Sequence, residues 1–211
     1  MPESDLSSGL APEERAVLGE RVFCEDDIPF AWTATPALPP RGALTRLNGR
    51  NESVLRALSM LEEHDESPAE DAERADFRRL EGKLDLAMEL LAELVRDRIG
   101  TTPSVRVRFS AEGVCWQAAR AETEGTLLFT DWWLLPAWPV ALRLHAEVAG
   151  NRRSEDGWIV CARLVGQTDT VKDWLEKLVF RRHRRAIAQQ RVTRAGDAAP
   201  SSAERDEAGE R

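Results

Sequence analysis

The segment from Val105 to Trp116 constrains the fold most, because it joins an alternating strand to a tight turn. Its first residues alternate between apolar and basic side chains, as expected of a strand with one buried face. Arg108 and Ser110 belong to the polar face and are predicted to be displayed to solvent. Gly113 is expected to supply the backbone freedom of a hairpin turn before Val114 resumes extended structure. A strand, a turn and a second strand are therefore predicted.

Strand patterns separated by turn residues continue through the second half of the chain. They span residues 105–109, 114–119, 126–135, 140–148 and 158–165. An earlier apolar stretch at 18–32 is expected to supply one or two more strands. Residues 150–157 are polar and bounded by glycines, which predicts a hairpin loop. Short antiparallel strands at a spacing of about ten residues are typical of a small barrel.

Two helices are predicted between the early strand segment and the later strands. Asn51 is expected to cap a short amphipathic helix that ends near Glu62. A longer helix, to about Ile99, is predicted from Ser67, where a capping side chain is followed by proline. Its apolar positions alternate spacings of three and four, at Phe77, Leu80, Leu84, Ala87, Leu91 and Leu94. Since a helix of roughly thirty residues is about 45 Å long, part of this stripe is expected to contact another subunit.

A closing helix is predicted at about 170–190, and its second half is strongly basic. The basic cluster consists of Arg181, Arg182, Arg184 and Arg185. Such a cluster fits either a patch for an anion or a partner, or a solvated helix end whose cations complement the helix dipole. The stretch 195–211 is rich in Ala, Ser and Glu and is expected to be a disordered tail.

Composition limits the classes of function. The chain has 211 residues and a formal net charge of −8, which argues against nucleic-acid binding because that requires a concentrated basic face. No apolar run is long enough to cross a bilayer. Residues 1–17 are interpreted as a polar leader without the features of a secretion signal, so the expected location is the cytoplasm. Cys24, Cys115 and Cys161 are odd in number and widely spaced, and are expected to be reduced core thiols.

No catalytic pattern emerges from the sequence. A Gly-rich phosphate loop, a Gly-x-Ser-x-Gly sequence and paired metal-binding histidines are all missing. His145-Ala-Glu147 shares a His-x-Glu pattern with zinc deaminases, but no Pro-Cys-x-x-Cys follows it. We therefore expect neither an enzyme nor a bound metal or cofactor.

The order of these elements, together with Arg108-Phe-Ser110-Ala-Glu-Gly113, resembles the atypical, tetrameric branch of the PilZ domain family. The resemblance implies an α+β fold with a small antiparallel six-stranded β-barrel, two inserted helices and a C-terminal helix. The implied boundaries are 18–190 for a single domain, about 46–99 for the helical insertion, 104–166 for the strands and 170–190 for the last helix. The resemblance also implies a homo-oligomer, suspected to be a tetramer, that works in cyclic di-GMP signalling.

The same resemblance implies a set of ligand-binding residues. The family motif is [Asp/Asn]-x-Ser-x-x-Gly, which Ser110 and Gly113 match while Arg108 replaces the acidic or amide residue. A guanidinium donates hydrogen bonds and cannot accept them, but it can meet a phosphate or the acceptor edge of guanine. Arg46 and Arg50 match the Arg-x-x-x-Arg segment that grips the nucleotide in ordinary PilZ domains.

Two functions remain open at this point. In the first, the chain is a cyclic di-GMP receptor that acts through contacts with an unidentified protein partner. In the second, it is a degenerate PilZ-like adaptor that has lost nucleotide binding and assembles through its heptad helix.

Overall fold

The structure is a closed antiparallel β-barrel with helices packed outside it. The computed structural model describes residues 10–19, 22–64, 82–84, 86–88, 90, 91, 94, 102–135, 138 and 140–197. The strands are β1 (Cys24–Ala34), β2 (Ser104–Phe109), β3 (Gly113–Ala118), β4 (Leu127–Trp132), β5 (Leu142–Ser154) and β6 (Gly157–Val165). Around the barrel their order is β1, β2, β3, β6, β5, β4. The predicted α+β fold with a six-stranded barrel is confirmed.

Among the described residues, three helices have defined bounds. They are α1 (Pro12–Leu18), α2 (Arg41–His64) and α3 (Asp169–Asp197). Residues 82–84, 86–88, 90, 91 and 94 are also helical and are called the heptad segment below. Within the described part of the chain, no helix is both long and apolar enough to span a bilayer.

β1 closes the barrel by pairing with two different strands. Its residues 24–29 pair with β2 and its residues 30–34 pair with β4, in both cases antiparallel. Pro29 lies at the changeover, where its missing N–H costs no ladder hydrogen bond. The Pro29 carbonyl instead accepts a hydrogen bond from the Trp133 N–H at 3.1 Å.

The barrel interior is filled by large side chains. Val107 and Phe109, on the predicted apolar face of β2, are fully buried. Aromatic rings from three further strands pack close to them, with ring centroids 5.2 Å apart for Phe30 and Trp116 and 5.5 Å apart for Phe109 and Trp132. Because the interior is packed in this way, a ligand has to bind on the outer surface of the barrel.

The β5–β6 hairpin is longer than the sequence predicts. The expected loop at 150–157 is mostly strand, because β5 continues to Ser154 and only Glu155 and Asp156 form the turn. A register shift between Val148 and Gly150 inserts one extra residue into β5. Such a bulge lets a strand bend and continue past a local break in its alternating pattern. For this reason the polar residues after Gly150 belong to β5 although their pattern predicts a loop.

Helix α2 begins ten residues before the predicted cap at Asn51. Asn51 is not a cap: its side chain donates to the Arg143 carbonyl at 2.6 Å and accepts from the Arg143 N–H at 3.1 Å. Asn48 similarly donates to the Gly166 carbonyl at 2.9 Å. Gly42 and Gly49 weaken the helical pattern of this stretch in the sequence, and these tertiary hydrogen bonds compensate for them.

The N-terminal stretch differs from the predicted polar leader. Residues 12–18 form α1, and Leu10, Val17 and Leu18 are buried together against the outer surface of β3 and β6. Glu14 is also buried. Residues 1–9 lie outside the described residues.

The expectation of three reduced thiols is wrong for two of them. Cys115 and Cys161 face each other across β3 and β6 and form a disulfide beneath α1. The two cysteines are far apart in the sequence, and only the register of β3 and β6 brings them together, so the spacing of the cysteines did not predict the pair. Cys24 is a free, buried thiol as predicted, and burial raises its pKa to about 12.

Helix α3 packs along α2. Arg56 of α2 lies over the Trp174 ring of α3, and Ser59 accepts hydrogen bonds from Arg181 further along. Since the contacts advance in the same direction on both helices, α2 and α3 run parallel. Residues 195–197, expected in the disordered tail, are helical, and 198–211 lie outside the described residues.

Candidate functional site

Ser110 was predicted to face solvent, but in the structure it is buried. It is 3 % exposed, and its Oγ accepts hydrogen bonds from the backbone N–H groups of Glu112 at 3.1 Å and Gly113 at 3.3 Å. Its own N–H donates to the Gly113 carbonyl at 2.9 Å. The hydroxyl therefore holds the turn between β2 and β3 in shape, which is a common structural use of serine.

Gly113 was expected to supply an unusual backbone angle. The structure instead requires glycine there because α1 packs directly against it. It is not among the glycines with positive φ in the described chain. A Cβ atom at this position would collide with Val17 Cγ1 and would lie 2.7 Å from the Val17 carbonyl oxygen. The motif glycine is thus the place where α1 approaches the barrel.

Arg108 is held by two carboxylates. Its Nη1 donates to Glu14 Oε1 and its Nε donates to Glu25 Oε2, both at 2.8 Å. The Arg108 side chain is only 29 % exposed and that of Glu14 only 2 %. Burial lowers the pKa of Arg108, but the hydrogen bonds and charges of Glu25 and Glu14 outweigh it, and the net pKa is raised. The predicted solvent-facing donor is therefore engaged by α1 and β1.

A polar cavity of about 240 Å³, called the arginine pocket here, lies beside Glu14. Its lining includes Arg106, Arg108, Gln117, Arg152, Ser154 and Asp156. Arg152 Nη2 lies 3.8 Å from Glu14 Oε2, so Glu14 faces two guanidinium groups. Guanidinium groups with hydroxyl and amide donors nearby suit a carboxylate or phosphoryl oxygen.

Arg46 and Arg50 are not brought to this pocket. They lie on α2, where the ordinary family motif would be a loop, and both are exposed. Arg46 is two helical positions from Asn48, which faces the barrel, so it projects on nearly the opposite side. The Arg-x-x-x-Arg match does not form part of the site in this arrangement.

Most of the basic cluster of α3 is used inside the chain. Arg182 donates to Glu62 Oε1 at 2.9 Å, to Asp26 Oδ2 at 3.2 Å and to the Leu134 carbonyl at 2.8 Å. We call this set of contacts the Arg182 clamp. Arg181 binds Ser59, and Arg185 donates to the Glu62 carbonyl. Arg184 lies over the Phe180 ring. The cluster therefore fastens α3 to α2 and β1.

A second, apolar cavity of about 410 Å³ lies between the end of α1, the β2–β3 turn and α3. Leu18, Val22, Val179 and Phe180 are among its lining residues. Phe180 is 51 % exposed. One short helix, α1, thus borders both this cavity and the arginine pocket.

Sequence reasoning missed Glu14 and Arg152. The signal for α1 was present in Pro12-Glu-Glu14, since proline and acidic residues favour a first helical turn. Indeed the Ala11 N–H donates to Glu14 Oε2 at 2.9 Å. Nothing local in the sequence, however, indicates that α1 packs against β3, β5 and β6. Among the described residues, no cluster of three potential metal ligands occurs.

Comparison with known families identifies the fold. The family model described as atypical PilZ domain, cyclic di-GMP receptor, matches residues 55–192. The chain belongs to the atypical PilZ domain family. The match covers the end of α2, strands β2 to β6 and most of α3, and it excludes α1, β1 and both Arg46 and Arg50.

A solved structure from Xanthomonas campestris supports the same fold. That protein is described as a new tetrameric PilZ domain self-assembled via an unusual helical bundle. It is 24 % identical to this chain, with a TM-score of 0.65, and the match covers 83 % of this chain and 95 % of the other. None of the curated proteins matches this sequence significantly.

Replacing Gly113 with alanine should loosen α1. The new methyl group collides with Val17, so the free energy of unfolding should fall by about 1–3 kcal/mol, as in other overpacked sites. Urea unfolding monitored by tryptophan fluorescence measures the change. Gly49→Ala is the matched control, because its Cβ meets nothing within 4 Å and alanine favours a helix, so the midpoint should rise slightly. An unchanged midpoint for Gly113→Ala would contradict this packing.

Replacing Arg182 with methionine should destabilise the fold strongly. The Glu62 side chain is only 5 % exposed, so removal of its partner leaves a buried carboxylate unpaired. The expected loss in free energy of unfolding is about 3 kcal/mol. Arg184→Met removes the same charge from the same helix. Within the described part of the chain it removes a contact with the Phe180 ring, so it should cost less than about 0.5 kcal/mol. Equal urea midpoints for the two variants would refute the structural role of the Arg182 clamp.

Proposed function

We propose that this chain is an oligomeric adaptor in cyclic di-GMP signalling that acts through protein–protein contacts and assembles through the heptad segment. The observation that carries this proposal is the exposure of its leucines. Leu84 is 61 %, Leu91 is 50 % and Leu94 is 62 % exposed in the single chain. Leu86 and Leu90 are also exposed.

Exposed leucines concentrated on one helix need a covering surface. Burying a leucine side chain stabilises a protein by roughly 1.5–3 kcal/mol, and monomers rarely leave such side chains clustered in water. Leu84, Ala87, Leu91 and Leu94 follow the spacing of three and four that two helices use to pack together. Phe77 and Leu80 continue the spacing in the sequence but lie outside the described residues.

Similarity to the Xanthomonas campestris protein, which is described as tetrameric, leads us to propose a tetramer here as well. We propose a cytoplasmic location, where a protein that works with the second messenger cyclic di-GMP would act. The protein partner is unidentified. The adaptor role also agrees with Ser110 and Arg108, whose polar groups are already bound within the chain.

Light scattering tests the assembly directly. We expect the wild-type protein to have about four times the chain mass of 23.6 kDa, and the double variant Leu84→Glu/Leu91→Glu to fall to a smaller species because carboxylates cannot be buried unpaired. Lys83→Glu is the control: it changes the net charge by the same two units from the neighbouring position. A monomeric wild type, or a double variant that remains tetrameric, would overturn assembly through this segment.

A second candidate function is direct binding of cyclic di-GMP. The family description supports it, and so do the guanidinium groups of Arg108 and Arg152 on the barrel surface. In this function Arg108 would donate to a phosphate or to the acceptor edge of guanine. Arg46 and Arg50 would have no direct part in it, because neither is among the residues that line the pocket.

Calorimetric titration with cyclic di-GMP tests this second function. If the chain is a receptor, binding should be saturable, and Arg108→Ala should weaken it by about tenfold or more because a charged hydrogen bond is lost. GTP is the control nucleotide and should not compete at equal concentration. If no heat of binding appears at high ligand concentration, direct reception is excluded and the adaptor remains.

A further inference from the structure

Glu14 has the position and the chemistry of a bound anion. It lies almost completely out of solvent, with one carboxylate oxygen 2.8 Å from Arg108 Nη1 and the other 3.8 Å from Arg152 Nη2. We propose that α1 is a displaceable cover, and that Glu14 occupies the place between Arg108 and Arg152 that a phosphoryl group takes when α1 leaves. This inference deepens the second candidate function, since it concerns how that site is regulated.

Glu14 leaves Arg152 poorly satisfied, whereas Arg108 has both Glu14 and Glu25 as partners. Arg152 Nε is buried and has no hydrogen-bond partner among the described residues. The distance from Arg152 Nη2 to Glu14 is an ion-pair distance and too long for a hydrogen bond. A phosphoryl group carries more acceptor oxygens than a carboxylate and can bind two arginines at once. The pair is therefore better matched to a phosphoryl group than to Glu14.

The space for such a ligand is already present. The arginine pocket, of about 240 Å³, adjoins Glu14, and Gln117 and Ser154 supply neutral donors at its wall. Arg106 adds a third guanidinium group, which lies 3.5 Å from Asp27. Asp156 is the acidic residue of the lining besides Glu14. Departure of Glu14 would leave three arginines and Asp156 in the lining, with Glu25 still paired to Arg108 behind it.

Helix α1 is suited to detach. It has seven residues, well below the length at which an isolated helix is stable in water. Its attachment depends on Leu10, Val17 and Leu18 and on the Glu14 ion pairs. Gly19, with φ of 77°, ends it and begins a short connection to β1. Loss of the ion pairs would remove the charged contacts of α1, and the ligand has to offset the burial of the three apolar side chains.

Displacement would also change a second surface. Leu18 at the end of α1 lines the apolar cavity that Phe180 borders. If an anion replaces Glu14, Leu18 leaves that cavity and its apolar wall becomes exposed beside α3. Ligand binding at one side of α1 would in this way alter the surface available to a protein partner at the other.

The test uses full-length protein and inorganic pyrophosphate as the probe. We expect Glu14→Gln to bind pyrophosphate about tenfold or more tightly than wild type, because the competing internal charge is gone while the side chain keeps its size. Glu13→Gln, which removes the same charge from an exposed position of α1, should bind like wild type. Adding Arg152→Met to Glu14→Gln should abolish the gain. Absence of any gain with Glu14→Gln would overturn the proposal.

Hydrogen exchange of the α1 amides gives an independent readout. It uses the wild-type chain, so it tests the proposal even if Glu14→Gln folds poorly. Saturating pyrophosphate should speed exchange at residues 13–18, whereas unchanged protection at saturation would overturn the cover. Cyclic di-GMP is the second arm. If it binds while α1 stays protected, the receptor function holds and the cover is refuted. If pyrophosphate releases α1 but cyclic di-GMP does not bind, the cover holds and the receptor function fails.

Discussion

Closure of the barrel by β1 is the constraint on which the other features depend. β1 pairs with β2 along one half and with β4 along the other, so the strands leave no open edge of hydrogen-bonding groups. A closed barrel of six strands has room only for its own side chains, here rings such as Phe30, Trp116 and Trp132. Binding and assembly are consequently confined to the outer surface and to the helices that pack there.

On the outer surface of β2 and β3, the proposed ligand site overlaps the surface that α1 covers. The residues that match the family motif, Ser110 and Gly113, shape a turn and make room for α1, while Arg108 binds Glu14 of α1. Each of these contacts stabilises the covered state. A ligand that needs Arg108 must first offset the burial of α1, so the affinity of the site depends on a segment that the family match does not include.

The barrel could be predicted from the sequence, since alternation over short segments reports directly on one buried face, as Val107 and Phe109 illustrate. Features set by contacts distant in the chain could not. Asn51 bonds the backbone of Arg143, which is 92 residues away in the sequence. The Cys115–Cys161 pair is set by the register of β3 and β6. Neither partner is signalled by local spacing. Glu14 was missed for the same reason, because a short polar helix looks like a leader until its docking surface is known.

The Arg182 clamp joins the barrel to the end of α2 that precedes the heptad segment. Glu62 lies in the last turn of α2, just before the chain continues toward the heptad segment, and Arg182 ties it to Asp26 of β1. The last turn of α2 is thereby fixed relative to the barrel. Leu18 of α1 and Phe180 of α3 line the same apolar cavity, and Trp174, six residues earlier on α3, lies under Arg56 of α2. If α1 is displaced as proposed, α3 is therefore the element that contacts both the vacated cavity and α2.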